Sequence, residues 1–408
     1  MALLVKKFGG SSVATPEKIY HLVDRVLAEK KPDDRIVIVV SAMGDTTDDL
    51  VTLAGRVSEH MPKREMDMLL STGEQISIAL LAAAFQARGQ KAVSLTGPQA
   101  GIRTNANHTK AGILEVKPDR IVKALDEGNI VVVAGFQGLA DTGDITTLGR
   151  GGSDTTAVAV AAGLKADMCE IFTDVDGVYT ADPRVVPGAR KLKEITFADM
   201  LELARLGAGV MQPRAVEYGE HTGVDIHVRS TFHNVEGTII RRNYTLEEEK
   251  EYVVRGVTSD VNVAKIAVRG VKDTPGVAFR IFDALAKANI DVDMIVQSAS
   301  AEPQKNDIVF TCQKADMADA AGVLETLKPE MGFSRVDMEA NVAKVSVVGA
   351  GMLGNPGIAA GMFGALAAKN INLIIISTSE ISISCLIPKD QVEVAVNAVH
   401  DHFFPKQA

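Results

Sequence analysis

Cysteine is scarce in this sequence, and the three present, Cys169, Cys312 and Cys385, stand far apart. Their odd number and wide spacing exclude a disulfide framework and leave no paired spacing for a zinc site. No uninterrupted apolar run approaches the roughly 20 residues needed to cross a bilayer. Between Met1 and Lys6 stand only four residues, Ala2 to Val5, too few for the core of a signal peptide. No Lys/Arg block interrupts a formal net charge of −9, so the footprint of a nucleic-acid binder is missing. The expectation is a cytoplasmic, reduced protein without a metal site of its own, touching neither membrane nor nucleic acid. Two signatures of phosphoryl transfer are missing as well. There is no G-x-x-x-x-G-K-[ST] phosphate loop, and neither H-R-D nor D-F-G marks a protein kinase.

What is present is a chain of 408 residues, 46% hydrophobic, which calls for two or three domains. Its first notable stretch is Lys7-Phe8-Gly9-Gly10-Ser11-Ser12, after the apolar run Ala2 to Val5. The run reads as a buried strand, and the two glycines let backbone pass close to a ligand. Thr15 and Pro16 then form an N-cap and first helical residue, and Ile19, Leu22, Val23, Val26 and Leu27 recur at helical spacing. Strand, glycine turn and helix N-terminus together make a natural anion site, to which Lys7 adds a charge. The same residues also fit a plain tight turn beside a solvated lysine, and alone they do not separate the two.

Strand and helix patterns alternate onward. Strands are expected over Ile36 to Val40, Ala92 to Leu95, Ile130 to Ala134, from Glu170, and over Asp225 to Arg229. Helices are expected around Met68 to Phe85, Ile121 to Leu125 and Thr196 to Leu206. Continuous apolar strands between helices mean a parallel sheet covered on both faces. Polar loops then fall at the carboxyl ends of the strands, where such sheets bind ligands. They include Ser41 to Thr47, Gly135-Phe136-Gln137-Gly138, the glycine-rich Thr146 to Thr156, and Thr173 to Arg184. Two glycine loops, a lysine, an arginine and several carboxylates suit an anionic ligand with a metal.

These residues carry a resemblance. Lys7 to Ser12, Ser41 to Thr47, Ser71-Thr72-Gly73-Glu74, Thr147 to Thr156 and Phe172 to Arg184 together resemble monofunctional aspartate kinases of the amino-acid-kinase superfamily. The resemblance implies transfer of the γ-phosphoryl of ATP, with Mg2+, to the side-chain carboxylate of L-aspartate. That reaction opens lysine, threonine and methionine biosynthesis and is inhibited by its end products. It also implies the roles. Lys7 and Asp154 would be catalytic; Ser41, Thr47, Glu74 and Arg150 would hold aspartate, with Arg150 on the α-carboxylate and Glu74 and Asp154 on the ammonium. Lys7, Gly9, Gly10, Ser11, Thr173, Asp174, Tyr179 and Arg184 would hold the nucleotide. Taken singly, Asp154 also reads as a helix N-terminal acid, Tyr179 as a half-buried aromatic and Arg184 as a surface charge. Where the family usually carries a phosphate-reaching lysine, this chain has Gly209, which bears on nucleotide affinity.

The polar stretch Arg241 to Glu251 reads as a boundary, and its Glu247-Glu248-Glu249 as a solvated linker. Beyond it the chain repeats: Ile281 to Ile290 matches Met362 to Ile371, and Pro275-Gly276 matches Pro356-Gly357. The repeat resembles a pair of ACT modules, which bind amino-acid effectors and pair into homo-oligomers. Expected fold class is thus α/β, a parallel-sheet sandwich of amino-acid-kinase type plus two α+β ACT-type modules. Expected domains are residues 1–242, a linker at 243–252 and a regulatory region at 253–408, with modules at about 263–340 and about 341–405. A strand near 253–261 would join the later module. Asp273, Gly276 and Gln297 of one unit, with Asn372 and Ser379 of the other, would bind lysine and/or threonine. Gly349-Ala350-Gly351-Met352-Leu353-Gly354 spells G-x-G-x-x-G, but no acidic residue follows at about 20 positions and too little chain remains for a dinucleotide fold. Two other readings stay open: a superfamily kinase acting on glutamate, carbamate or a nucleotide, and a non-catalytic or weakly active amino-acid sensor.

Overall fold

Runs of β-branched and aliphatic residues bury on both faces only if helices cover a sheet from each side, and the computed structural model has that arrangement in its first half. It describes residues 2–245, 253–299, 304–352 and 355–405. The Glu247-Glu248-Glu249 linker, with most of the expected boundary segment, lies outside the described residues, as do Leu353 and Gly354. The chain divides into two units, one of residues 1–179, 191–205 and 209–251, the other of 180–190, 206–208 and 252–408.

The first unit opens with β1 (Leu3–Phe8), α1 (Pro16–Glu29), β2 (Arg35–Val40), α2 (Thr46–Val57), α3 (Lys63–Ala87) and β3 (Ala92–Leu95). It continues with β4 (Ile102–Thr104), β5 (Ile113–Val116), α4 (Asp119–Asp126), β6 (Ile130–Ala134), β7 (Gln137–Ala140) and β8 (Ile145–Thr147). Next come α5 (Gly152–Leu164), β9 (Met168–Thr173), β10 (Glu194–Thr196), α6 (Phe197–Arg205), α7 (Pro213–Thr222), β11 (Ile226–Ser230) and β12 (Thr238–Arg241). Eight strands form the main sheet in the order β10-β12-β11-β9-β1-β2-β6-β3. Every pairing in it is parallel except β11 with β12. A smaller sheet, β5-β4-β7-β8, stands apart from it in pairing.

Thr15 caps α1 through its hydroxyl, which accepts from Lys18 N at 3.4 Å, and Pro16 opens the helix. The apolar faces of α1 (Ile19, Leu22, Val23, Val26) and α3 (Ile78, Leu81, Phe85) meet Phe8, Ile38, Val40, Val132 and Phe172 from the strands. Each large side chain so removed from water contributes about 1.5–3 kcal/mol. Phe8 and Phe172 stack at 4.5 Å between ring centroids, which pins β1 against β9 where both strands end. Among the described residues, α3 alone is long and apolar enough to cross a membrane by length and composition, and 56% of its most apolar window is buried inside the fold. Its inner face carries buried Asp67, Ser71, Glu74 and Ser77.

The second unit holds β13 (Gly256–Asp260), β14 (Val263–Lys272), α8 (Val277–Lys287), β15 (Val292–Ala299), β16 (Lys305–Gln313), α9 (Met317–Met331) and β17 (Arg335–Glu339). A second pass follows with β18 (Val342–Val348), α10 (Ile358–Ala367), β19 (Ile375–Thr378), β20 (Ser382–Pro388) and α11 (Val392–Phe403). The sheets run β15-β16-β14-β17 and β13-β18-β20-β19. β13, which precedes the first repeat, pairs antiparallel with β18 of the second, from Gly256 opposite Val348 to Asp260 opposite Lys344. Val263, Met294, Val342, Ile375 and Leu386 form a small apolar cluster between the two repeats. Gly349 serves packing, since a Cβ there would stand 2.3 Å from Val253 O.

The segment 180–190 clusters with this second unit for a packing reason. Ala181 and Val186 are buried in the core of the second repeat. Thr180 O accepts from Val257 N at 2.7 Å, and its hydroxyl meets His400 Nε2 at 2.9 Å.

Candidate active site

The candidate site forms where β1, β2 and β6 end and their loops converge. Ser41 N bonds Phe8 O at 3.2 Å and Gly44 N bonds Gly10 O at 3.1 Å, so the loops after β1 and β2 are locked together. Gly10 is required there, because a Cβ would lie 2.6 Å from Ala42 O. On the far side the loop after β8 passes through Gly149 and Gly151, both with left-handed φ (78° and 68°), and opens α5 at Gly152. Helix α5 is buried along Ala157 to Ala161, so its position is fixed by packing and its N-terminal amides are carried to the cavity wall at Gly152, Ser153 and Asp154.

Between these walls lies a cavity of about 430 Å3. Lys7, Gly9, Gly10, Ser41, Thr47, Glu74, Arg150 and Asp154 line it together. These residues span nearly 150 positions of sequence and meet because parallel strands bring their carboxyl ends to one edge. Lys7 Nζ stands 2.6 Å from Asp154 Oδ1, each side chain 12% exposed. This is a contact of opposite charges rather than a well-directed hydrogen bond, since Asp154 Oδ1 meets no donor at hydrogen-bonding angles.

Glu74 is the most strained charge of the set. It is buried, its Oε1 accepts from Ala42 N at 3.0 Å, and its Oε2 has no hydrogen-bond partner. Burial raises its pKa to about 7, against two backbone hydrogen bonds that lower it. A carboxylate so placed is stabilised by an incoming cation that supplies the missing donors. Arg150, by contrast, is exposed while lining the cavity, and its guanidinium is suited to a bidentate grip on a carboxylate. Two anions and two cations around one cavity fit a zwitterion carrying a further acidic group.

Other expected residues do not line the cavity. Ser11 is exposed on the short turn after Gly9. Thr173 ends β9 beside β1, and Asp174 follows it; Phe8 of β1 pairs with Phe172, so Thr173 is level with Gly9 by register. Thr173 Oγ1 donates to Asp174 Oδ1 at 3.1 Å. Tyr179 is half-buried, and burial pushes its phenol pKa up. Arg184 lies in the segment that clusters with the second unit, is 82% exposed and pairs with Asp182 at 2.7 Å. Sequence reasoning gave no role to Leu70, Thr109 or Gln212, which also line the cavity. Gln212 packs so closely that a Cβ on Gly151 would fall 2.0 Å from its Cγ. Nothing local marks it, because the contact joins chain segments some sixty residues apart.

In the second unit, each repeat has a pocket at the loop before its first helix. The first, about 350 Å3, is lined by Asp273, Gly276 and Gln297, with Asp273 Oδ1 accepting from Asn306 Nδ2 at 2.8 Å. The second, about 430 Å3, is lined by Gly357 and Ser379 among others. Gly276 and Gly357 hold the same left-handed N-cap, at φ 90° and 108°. Asn372 is exposed and lines neither pocket.

Comparison with known proteins agrees with the architecture. The amino acid kinase family model matches residues 2–230, and an ACT domain model matches residues 266–327 and 345–403. With more than half its length so matched, the chain belongs to the amino acid kinase family. It is 50% identical over 405 residues to an aspartokinase of Mycolicibacterium smegmatis, covering 99% of this chain and 96% of that one. It is 47% identical over 403 residues to aspartokinase 2 of Bacillus subtilis, covering 99% and 98%. Among solved structures, E. coli aspartokinase III in complex with aspartate and ADP matches with a TM-score of 0.80 and 25% identity, over 98% of this chain and 100% of that one. The same enzyme with lysine and aspartate matches at 0.77 and 26%, over 98% and 99%. Within the family, this full-length likeness places the chain in the aspartokinase branch.

Proposed function

We propose that the chain transfers the γ-phosphoryl group of ATP to the side-chain carboxylate of L-aspartate, yielding 4-phospho-L-aspartate and ADP, as the entry step to lysine, threonine and methionine biosynthesis. The observation that carries the reading is the buried, half-satisfied Glu74 carboxylate in one cavity with Lys7, Arg150 and Asp154. Support comes also from the aspartate and ADP bound by the E. coli relative.

The chemistry needs no base. An aspartate side chain is ionised at pH 7, so its oxygen attacks the γ-phosphorus directly while the bond to the ADP oxygen breaks. What the protein must supply is position and charge. Arg150 takes the α-carboxylate, Glu74 and Asp154 the ammonium, and the Ser41 and Thr47 hydroxyls flank the reacting carboxylate. Lys7 exchanges its contact with Asp154 for the transferring phosphoryl and offsets the charge that spreads over its oxygens. Amides of Gly9, Gly10 and Ser11 approach the phosphates, and Thr173, Asp174, Tyr179 and Arg184 hold the rest of the nucleotide. Mg2+ enters on the phosphates of ATP, as part of the substrate. The two repeats form the regulatory half, which binds lysine and/or threonine and joins copies of the chain. Asp273, Gly276 and Gln297, with Ser379 and Asn372, are the residues assigned to the effector.

A coupled assay of ADP release tests the reading. Turnover with aspartate and ATP, and none with glutamate, is the expected result. Turnover with glutamate alone would reassign the substrate, and no turnover with either would make the chain a sensor.

A further inference from the structure

Two titratable side chains that this chemistry leaves unused meet behind the cavity wall. Asp67 lies on the inner face of α3, about two turns before Glu74, and its side chain is fully buried. Its Oδ1 accepts from Thr147 Oγ1 at 2.5 Å. Both of its oxygens face Thr109 N, at 3.0 and 3.1 Å, and Oδ2 stands 2.7 Å from His108 Nδ1. An ionised carboxylate only accepts, so His108 is assigned its proton on Nδ1. A buried carboxylate is costly unless donors converge on it, and here they converge from two separate segments.

Those segments are walls of the cavity, since Thr109 and Thr147 both line it. Thr109 holds a left-handed φ of 69°, which a β-branched residue adopts only when its surroundings impose it. The loop that carries it is stapled at its base by Asn105 Oδ1, which accepts from Asn107 N at 3.2 Å and Gly112 N at 3.1 Å. Thr109 O abuts Gly149, where a Cβ would stand 3.1 Å from it. Ala111 N bonds Thr147 O at 2.9 Å. One carboxylate therefore ties together the helix that carries Glu74, the loop beneath Gly149, and the strand end that leads to Arg150.

We infer that Asp67 and His108 are a positioning pair that sets the separation of Glu74 from Arg150, and thereby the fit of the substrate's ammonium and α-carboxylate. Neither touches the substrate. The pair fixes the two ends of the pocket that do, while the phosphate loop at Gly9 and Gly10 is held by a different bond, from Gly44 N to Gly10 O. Aspartate binding should therefore depend on the pair and ATP binding should not. The inference rests on the aspartate reading of the cavity.

Steady-state kinetics on the full chain separates the two. Asp67→Asn should raise the aspartate KM at least tenfold while the ATP KM stays within about twofold. His108→Ala should raise the aspartate KM about three- to tenfold. His108→Asn, whose Nδ2 falls where Nδ1 stands, should bring it back within about twofold of the parent value. The histidine variants carry the test if Asp67→Asn fails to fold. Parallel rises in both KM values, or His108→Asn behaving like His108→Ala, would overturn the inference while leaving an active aspartate kinase. A parent enzyme that ignores aspartate would instead overturn the functional reading.

Discussion

Glu74→Gln should make the free enzyme more stable at neutral and alkaline pH while impairing its use of aspartate. Glu74 is displaced by burial from an ordinary value of 4.5 to about 7, which at 1.36 kcal/mol per pH unit corresponds to about 3 kcal/mol. The sign follows from linkage. Below the unfolded value the carboxyl is protonated in both states and nothing is lost. As pH rises toward 7 the unfolded chain ionises while the folded one resists, so stability falls, and above 7 the full penalty is in place. Glutamine keeps the acceptor for Ala42 N but carries no charge, so its stability lacks this slope. Replacing the orphaned Oε2 by an amide nitrogen adds an offset that does not vary with pH. The advantage of the variant over the parent should thus be larger at pH 8 than at pH 5 by about 2 kcal/mol, read by urea denaturation at each pH. Aspartate binding should show the reverse. In the parent its KM should fall about tenfold between pH 6 and 8, as Glu74 ionises to meet the ammonium. In the variant that dependence should vanish, with KM raised tenfold to a hundredfold by loss of a charged hydrogen bond. An unchanged pH slope of stability would show that Glu74 is not the buried titrating group. An aspartate KM that keeps its pH dependence in the variant would remove Glu74 from the ammonium site.

Four further outcomes are expected. Lys7→Ala should lower kcat about a hundredfold or more with aspartate binding retained, since Lys7 acts on the transferring group; a rise in KM alone would make it a binding residue. Arg150→Lys keeps the charge but loses the planar fork, so initial rates should give a higher aspartate KM and a nearly constant ATP KM. Gly209→Lys should fold, because no atom stands within 4 Å of a Cβ there, and should lower the ATP KM; no change would mean that another cation already serves the phosphates. Inhibition by lysine and threonine, alone and together, should be several-fold to a hundredfold in the parent, as coupling of about 1–3 kcal/mol implies, and weaker in Asp273→Ala. Calorimetry showing no amino acid bound to the parent would leave the repeats a structural pairing element.

Much of this protein was legible along the chain because its signals are local. Thr15-Pro16 followed by apolar residues at helical spacing gives α1 with its cap, and Ala92–Leu95 and Ile130–Ala134 form strands with the bounds their apolar runs suggest. Lys7, Gly9, Gly10, Ser41, Thr47, Glu74, Arg150 and Asp154 stand in motifs recognisable as a set, and the fold brings them to one cavity. Less was visible where an element has little pattern of its own. Strands β4, β5, β7 and β8 are three or four residues long and hold together by pairing with one another.

The sequence by itself determined the alternation of strand and helix, the glycine loops at strand ends and the internal repeat, since each depends on neighbours a few residues away. Only the tertiary structure decided that Gln212 packs on Gly151, that Asp67 clamps Thr109 and Thr147, and that residues 180–190 bury with the second repeat. It alone also buried Glu74, which raised its pKa, and left its Oε2 without a donor. These features arise from the desolvation and close approach of groups far apart in the chain, and no local pattern encodes which distant surface will exclude water from a given side chain.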